Sequence, residues 1–340
     1  MIPWRKADSA QKGGNSAAKH VLVIQLGGLA EFVRALAAAK AIREAHVGAH
    51  ITLLTTETTS ALAEKAPYFD KVEADGKPKE PQAITKLIAR IRAAKYDMIY
   101  DLEGSSRTNN YFQGMRPWPP KWSGPIAGAS HAYTASNRAD LHPLDRYAAQ
   151  LAAAGLAAND ALTPDLSWVR SVLRDAPRLS PDFFGIRGRY VLLLPRGSDA
   201  EPSRRWSEGK YVELAKRLVC HGVTPVVVGG PEERQVGAAI AKEEVRAKNL
   251  VTRADVFQVA TLADRAAFAV GDDVELMHVV AAAGAPCLVF LSSLANPERA
   301  APRGRNGVIA LTAAVIADLP VEQVERQVRN CGVIQHAATA

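Results

Sequence analysis

The sequence predicts an α/β protein built from two doubly wound, Rossmann-like domains facing across a cleft, and three observations carry that expectation. Short apolar runs alternate with helix-length segments in two successive series, one opened by His20 to Leu26 (HVLVIQL) and one by Tyr190 to Leu194 (YVLLL), the pattern of a parallel sheet covered on both faces. The chain has 340 residues, more than one hydrophobic core usually organises. Between the two series, from Ala157 to Arg189, periodicity fades and prolines recur at Pro164, Pro177 and Pro181, as expected of an interdomain linker. The resulting division is a basic, disordered tail over 1–18, a first domain over 19–160, a linker over 161–189 and a second domain over 190–340.

In the first domain, the strand His20–Leu26 runs into Gly27-Gly28 and a helix reaching about Ala45. A strand over Ile51–Leu54, a helix around Ser60–Lys65, a weak strand at Lys71–Glu73, a helix over Ile84–Ala94 and a strand over Tyr96–Leu102 follow. Gly104 to Asp140 is rich in Gly, Pro, Asn and Trp and reads as irregular, and Pro143–Gly155 is a helix with proline near its first turn and glycine at its stop. The second domain reads as strand Tyr190–Leu194, loop Pro195–Arg205, helix Glu208–Cys220 and strand Thr224–Val228. After Gly229-Gly230-Pro231 come a helix, a short strand near Leu250–Thr252 and a helix over Val256–Ala263. The last helix, Val321–Arg329, is expected to pack back on the first half.

The segment Ala266 to Phe290 spells strand, acidic turn, helix, glycine stop and strand in one pass. In open α/β sheets ligands bind beyond the carboxyl ends of the strands, where a helix begins, and its free N–H groups and dipole attract anions. Gly271-Asp272-Asp273 and the residues Val274 to His278 therefore stand where a phosphate would be held. Glu275 falls in the first helical turn, where its carboxylate is placed to satisfy those donors itself and to repel a phosphate.

A formal net charge of +7 favours anionic partners. The basic residues are scattered along helices without an aromatic-interleaved basic motif, which argues against nucleic acid. Cys220, Cys287 and Cys331 are too far apart for a zinc or redox motif, which fits a reduced, cytoplasmic compartment. The first eighteen residues lack an apolar signal core, and no apolar run approaches a membrane span. Any meeting with a membrane would be peripheral. No phosphate-loop or GxSxG motif is present, the GG turns at 27 and 229 lack a full dinucleotide pattern, and His46 and His50 lack the partners of a zinc helix.

Five stretches, LGGLAEFVRALAA, YDMIYDLEGSSRT, HPLDRYAAQLAAAGL, RRWSEGKYVELAKRL and VGDDVELMHVVAAAGAP, in this order and spacing, resemble glycosyltransferase family nine, the ADP-heptose:lipopolysaccharide heptosyltransferases. The likeness runs from about His20 to Cys331, and the two-domain arrangement is that of the GT-B architecture. The resemblance implies an inverting, metal-independent transferase with no cofactor beyond its nucleotide-sugar donor, acting on an anionic glycolipid of the lipopolysaccharide core.

Inversion calls for a base on the acceptor hydroxyl and electrostatic stabilisation of the leaving diphosphate. The family's aspartate aligns with Glu31, one methylene longer; a carboxylate favoured by the helix dipole is the alternative role. The family's phosphate-binding lysine aligns with Arg204, with Ser198 as a hydroxyl donor nearby, and Glu232 aligns with a glutamate that binds ribose hydroxyls. The family's Asp-Thr-Gly and following His correspond to Asp273, Val274, Glu275 and His278, so a hydroxyl and an open backbone are replaced by an isopropyl group and a carboxylate. Arg253 is placed as a compensating charge, and His278 as a structural hydrogen-bonding group. On the acceptor side Arg107, Arg116 and Lys121 stand as anion-binding candidates, with Trp118 and Trp122 to stack on sugar, enter a membrane interface or pin the loop. Because the substitutions at 31, 204, 274 and 275 all fall on the site, a catalytically inactive paralogue acting as a binding or scaffold protein is the second reading.

Overall fold

The computed structural model describes residues 18–156, 161–173, 176–197, 200–294 and 296–334; most of the N-terminal tail and Ser198 lie outside these residues. The first domain carries β1 (His20–Ile24), α1 (Leu29–Ala45), β2 (His50–Leu54), α2 (Glu57–Lys65), β3 (Lys71–Glu73), α3 (Pro81–Ala93), β4 (Met98–Asp101), α4 (Ser106–Gly114), β5 (Lys121–Gly124), β6 (His131–Ala132) and α5 (Pro143–Ala153). A short helix, α6 (Trp168–Val172), lies in the connection. The second domain carries β7 (Tyr190–Leu194), α7 (Glu208–Cys220), β8 (Thr224–Val227), α8 (Arg234–Glu243), β9 (Lys248–Asn249), α9 (Val256–Arg265), β10 (Phe268–Asp272), α10 (Glu275–Ala283), β11 (Cys287–Ser292), α11 (Pro297–Ala300), β12 (Val308–Ala313) and α12 (Val321–Asn330).

The two sheets have one topology. Their strand orders are β3-β2-β1-β4-β5-β6 and β12-β11-β10-β7-β8-β9, and every pairing is parallel. Read from the other edge, the second order is the first repeated, with β7 and β10 in the places of β1 and β4. Each domain therefore has its switch point, the crevice where strand order reverses, at its central pair.

Three parts of the fold differ from the sequence expectation. The stretch read as irregular contains α4, β5 and β6. Ser106–Gly114 (SRTNNYFQG) has poor intrinsic helix propensity, and its start is set by a capping box: Ser105 N–H donates to Thr108 Oγ1 at 3.0 Å and Thr108 N–H to Ser105 Oγ at 3.4 Å. The edge strand β12 was not foreseen, and β9 lies two residues before its expected position. Finally, α12 packs on its own domain, against α7. Val324 and Val328 are buried in the second domain's outer core with Leu214 and Leu218, and Arg217 of α7 pairs with Glu325 at 2.7 Å.

The domains are joined by a continuous apolar core. The alanine-rich faces of α1 (Ala35, Ala38, Ala39) and α10 (Val279, Val280, Ala282) belong to one buried cluster, the small side chains letting these helices pack closely together. Polar contacts rim this seam: Leu166 N–H donates to Ala282 O at 3.0 Å, and Arg303 makes a bidentate pair with Asp145 at 2.6 and 2.8 Å.

Candidate active site

The carboxyl ends of the central strands of both domains open onto the seam. On the first domain, β1 gives way to Gln25–Gly28 and then α1. Gly27 has no room for a side chain, because a Cβ there would lie 2.5 Å from Glu31 Cβ. This close turn brings Glu31, in the first turn of α1, to the mouth of the cleft, half exposed and held by Arg34 Nη2 at 2.9 Å. Gln25 is buried and donates to Tyr147 Oη of α5 at 3.2 Å, tying this loop to the helix behind it.

The fourth strand of each sheet ends in a buried aspartate. Asp272 receives Arg196 N–H at 2.9 Å, Trp206 N–H at 2.8 Å and Tyr211 O–H at 3.0 Å, and so anchors Arg196 and Trp206, near the two ends of the loop after β7, to the end of β10. Asp101 receives Gly104 N–H at 2.8 Å. Burial pushes both carboxyls up to about 7. Asp101 was legible as a strand end, whereas the expectation that Asp272 belongs to the phosphate-holding turn is corrected: it is fully buried at the end of β10, and the role of both aspartates as loop anchors was missed.

Beyond β10, Asp273 is half-buried; burial raises its pKa, against the pull of Arg196, Arg34 and Arg204. Val274 is the N-cap of α10 and supplies no side-chain hydrogen bond. The expectation that Glu275 would satisfy its own helix terminus is corrected. Its carboxylate makes no hydrogen bond to those amides and instead reaches across the seam, 2.8 Å from where a Cβ on Gly28 would stand. A longer first-turn side chain finds open cleft in front of it and a hydrogen-for-side-chain position opposite. The helix terminus therefore keeps its free donors.

His278 bridges the domains, receiving Arg34 Nη1 at 3.3 Å. Because arginine only donates, His278 Nε2 is unprotonated, so its 3.8 Å approach to Asp273 is not an ion pair. Burial, reinforced by Arg34 and His142, pushes its pKa down to about 3. His142 forms a second bridge. Its Nδ1 accepts Leu144 N–H at 3.1 Å, so its Nε2–H donates to Ala301 O across the seam at 3.1 Å; burial and Arg303 push its pKa down to about 4.

Two connected spaces meet at Glu31 and Arg34. The larger, about 680 Å³, is lined by Glu31, Arg34, Arg146, Asp273, Glu275, His278 and Arg299 among others. A smaller one of about 170 Å³ lies behind it, against Glu103, Arg138, Arg146 and Tyr147. On the other side of Gly27 and Gly28, a groove of about 980 Å³ runs along the first domain between Thr56, Lys77, Lys79, Lys86 and Arg90. Among the described residues no group of three His, Cys, Asp or Glu side chains is placed to hold a metal ion.

The remaining candidates fall as follows. Arg204 is exposed on a short 3-10 turn above Asp273. Glu232 is exposed beyond β8, its backbone against Gly197, with its carboxylate unbonded among the described residues. Arg196 joins them, a cation that sequence reasoning passed over. Arg107 is at the ligand-side edge but is committed to Pro78 O at 2.8 Å, which braces the lysine-bearing loop. Arg116 and Lys121 are corrected: Lys121 pairs with Met98 at the start of β4, and Arg116 follows the far end of α4, so both lie at the opposite edge of the sheet from the cleft. Trp118, 88% exposed, shares that edge, whereas Trp122 is fully buried against Phe112 and belongs to the core. Arg253 is corrected too; it lines a separate groove with Phe183, Phe184 and Lys248 and does not face Glu275.

Two like-wound domains whose switch points converge on one cleft, with a carboxylate on one side and a helix N-terminus with arginines on the other, define a protein of the GT-B class. The glycosyltransferase family 9 (heptosyltransferase) model matches residues 84–315, and the chain belongs to that family. It is 29% identical over 126 residues to lipopolysaccharide heptosyltransferase 2 of Salmonella typhimurium, a stretch covering 36% of each chain. The Escherichia coli K12 protein of the same name is 30% identical over 111 residues, 31% of this chain and 32% of the relative. The matched stretch thus spans about a third of these curated relatives. In fold the chain is similar to a glycosyl transferase family 9 structure from Veillonella parvula (TM-score 0.74, 18% identity, 92% of this chain and 97% of that one). It is likewise similar to E. coli ADP-heptose lps heptosyltransferase II (TM-score 0.73, 19% identity, 92% and 98%) and to E. coli heptosyltransferase WaaC with ADP (TM-score 0.71, 18% identity, 92% and 99%).

Proposed function

We propose that this protein is a metal-independent, inverting glycosyltransferase that moves a sugar, heptose from ADP-heptose, to a hydroxyl of a lipopolysaccharide core or related glycan. The observation that carries the reading is the placement of Glu31 across the 680 Å³ cleft from the open N-terminus of α10. In this account Glu31 removes the proton of the acceptor hydroxyl as it attacks the anomeric carbon, while the sugar–phosphate bond breaks on the opposite face. The leaving diphosphate is held by the free amides of α10, by Arg204 and by Arg196, and Glu232 accepts from the ribose diol. The groove bearing Lys77, Lys79 and Lys86 receives the anionic part of the acceptor. The enzyme works at the cytoplasmic face of a membrane, attached through its substrate. No helix among the described residues is long and apolar enough to cross one.

The lean of Glu275 over Gly28 favours a second reading, a paralogue that has given up donor binding and serves as a scaffold. Calorimetric titration with ADP separates the two. Micromolar binding by the unmodified chain supports the transferase, and binding that appears only in Glu275→Gly supports the scaffold.

A further inference from the structure

Four guanidinium groups converge beside Glu31 from four elements: Arg34 on α1, Arg138 on the 3-10 turn at Ser136–Ala139, Arg146 on α5 and Arg299 on α11 of the other domain. All four line the two connected spaces. Arg34 is spoken for by Glu31 and His278. Arg138, Arg146 and Arg299 have no carboxylate within ion-pair distance among the described residues, and the Nε atoms of Arg34 and Arg138 are buried without a hydrogen-bond partner.

Asp101, on which the charge of Arg138 acts, is buried and receives Gly104 N–H at 2.8 Å, and the other acids nearby are engaged or turned elsewhere. Glu103 receives Leu26 N–H at 3.1 Å, Asp145 is held by Arg303, Asp273 lies under Arg196 and Arg204, and Glu275 leans on Gly28. Burial lowers the proton affinity of half-buried Arg146, and Arg138, Arg299 and Arg34 add to it against the opposing effect of Tyr147. Like charges gathered in a half-buried recess repel one another, and a protein keeps such a group when a counter-anion completes it.

We propose that Arg138, Arg146 and Arg299 form an oxyanion site that binds a carboxylate or phosphate borne by one of the two reacting sugars, and not the nucleotide's diphosphate. The position supports this: Arg138 and Arg146 lie on the Glu31 side of the cleft, behind the place where the sugars meet, and Arg299 joins Arg146 in the larger space from the second domain, whereas Arg204 lies over Asp273, beside the diphosphate's helix terminus. Because Arg299 comes from the second domain, the bound anion also ties the two domains together. The oxyanion site stands on geometry alone; its assignment to a sugar rests on the transferase reading.

The test is calorimetric titration at low ionic strength with inorganic phosphate and with methyl glucuronide against neutral methyl glucoside. It is run on the wild type, Arg146→Gln, Arg146→Lys and Arg253→Gln, which lies in the separate groove with Phe183 and Lys248, each checked for an unchanged or raised melting temperature. Phosphate and the glucuronide are expected to bind, the glucoside not. Losing one charge-assisted contact weakens binding about tenfold to a hundredfold in Arg146→Gln, Arg146→Lys recovers part of it, and Arg253→Gln matches the wild type. Saturating ADP leaves phosphate binding intact. If neither ADP nor ADP-heptose blocks it, the anion belongs to the acceptor; if ADP-heptose blocks it where ADP does not, the recess holds the neutral transferred heptose and the proposal is overturned. Absence of binding, indifference to Arg146→Gln or competition by ADP overturns the proposal. Arg146-dependent phosphate binding by a chain that binds no ADP leaves the site standing and removes the transferase reading.

Discussion

Replacing the two seam histidines together, His142→Asn with His278→Gln, removes two titrations while keeping their hydrogen bonds: asparagine still accepts Leu144 N–H and glutamine still accepts from Arg34. Both rings are held well below their ordinary value of 6.5, at about 4 and about 3. A depressed base binds its proton more readily in the unfolded chain, so the stability it contributes is fully present above pH 6.5 and is lost as pH falls toward the folded values. Between pH 8 and pH 5 the unfolded-state titration alone costs about 2 kcal/mol per ring, about 4 kcal/mol for the pair. Asp101 and Asp272, raised to about 7, act in the opposite sense: their contribution is present below pH 3.8 and lost as pH rises through 7. The wild-type profile alone is therefore uninformative, and the quantity to read is the difference from the double variant. Urea unfolding followed by tryptophan fluorescence at pH 8, 7, 6 and 5 is expected to show the wild type losing about 4 kcal/mol relative to the variant. Parallel profiles, within about 1 kcal/mol, would refute buried neutral histidines at the seam.

Glu31→Gln, which keeps size and removes the base, is expected to lower kcat by about 10²- to 10⁴-fold with little change in ADP affinity, measured by sugar transfer and calorimetry side by side. Glu275→Gln separates charge from bulk: a unit charge about 5 Å from a phosphate at an effective dielectric near 20 costs about 3 kcal/mol, so the variant binds ADP roughly a hundredfold tighter than the wild type. Equal affinities would place Glu275 outside the donor's field. Asp272→Ala strands two amides and a tyrosine hydroxyl in the interior and is expected to destabilise the second domain by about 3 kcal/mol or more, with faster hydrogen exchange across 195–206. A protected loop in that variant would show that the aspartate does not organise it.

Much of the architecture was legible because the two domains obey local rules twice over. Ala266 to Phe290 carries a buried strand, a turn, an apolar helix and Gly284, whose left-handed φ of 108° ends the helix, so sequence and structure agree there nearly residue for residue. The stretch from 104 to 140 did not yield to the same reading. Its helix depends on a capping box more than on propensity, and β5 is four residues held between prolines. Missing β5 also misplaced Lys121 and Arg116, since only the start of that strand reveals which sheet edge they occupy. Glu31, Arg204 and Glu232 could be named because the family resemblance aligns each with a site residue, and the turn at Asp273 because it follows a strand end. Arg138, Arg146 and Arg299 could not, for they meet only when three separated elements fold onto one recess. The lean of Glu275 was likewise invisible, because its destination, Gly28, is supplied by the other domain.

A crystal structure of the unmodified protein with ADP tests the central claim most directly. The account predicts the diphosphate against the first amides of α10 and Arg204, with Glu275 swung off Gly28 and the Glu31 carboxylate facing the β-phosphate across a gap wide enough for a sugar. A nucleotide lodged elsewhere, or a cleft that stays empty at millimolar ADP with Glu275 still over Gly28, would contradict it.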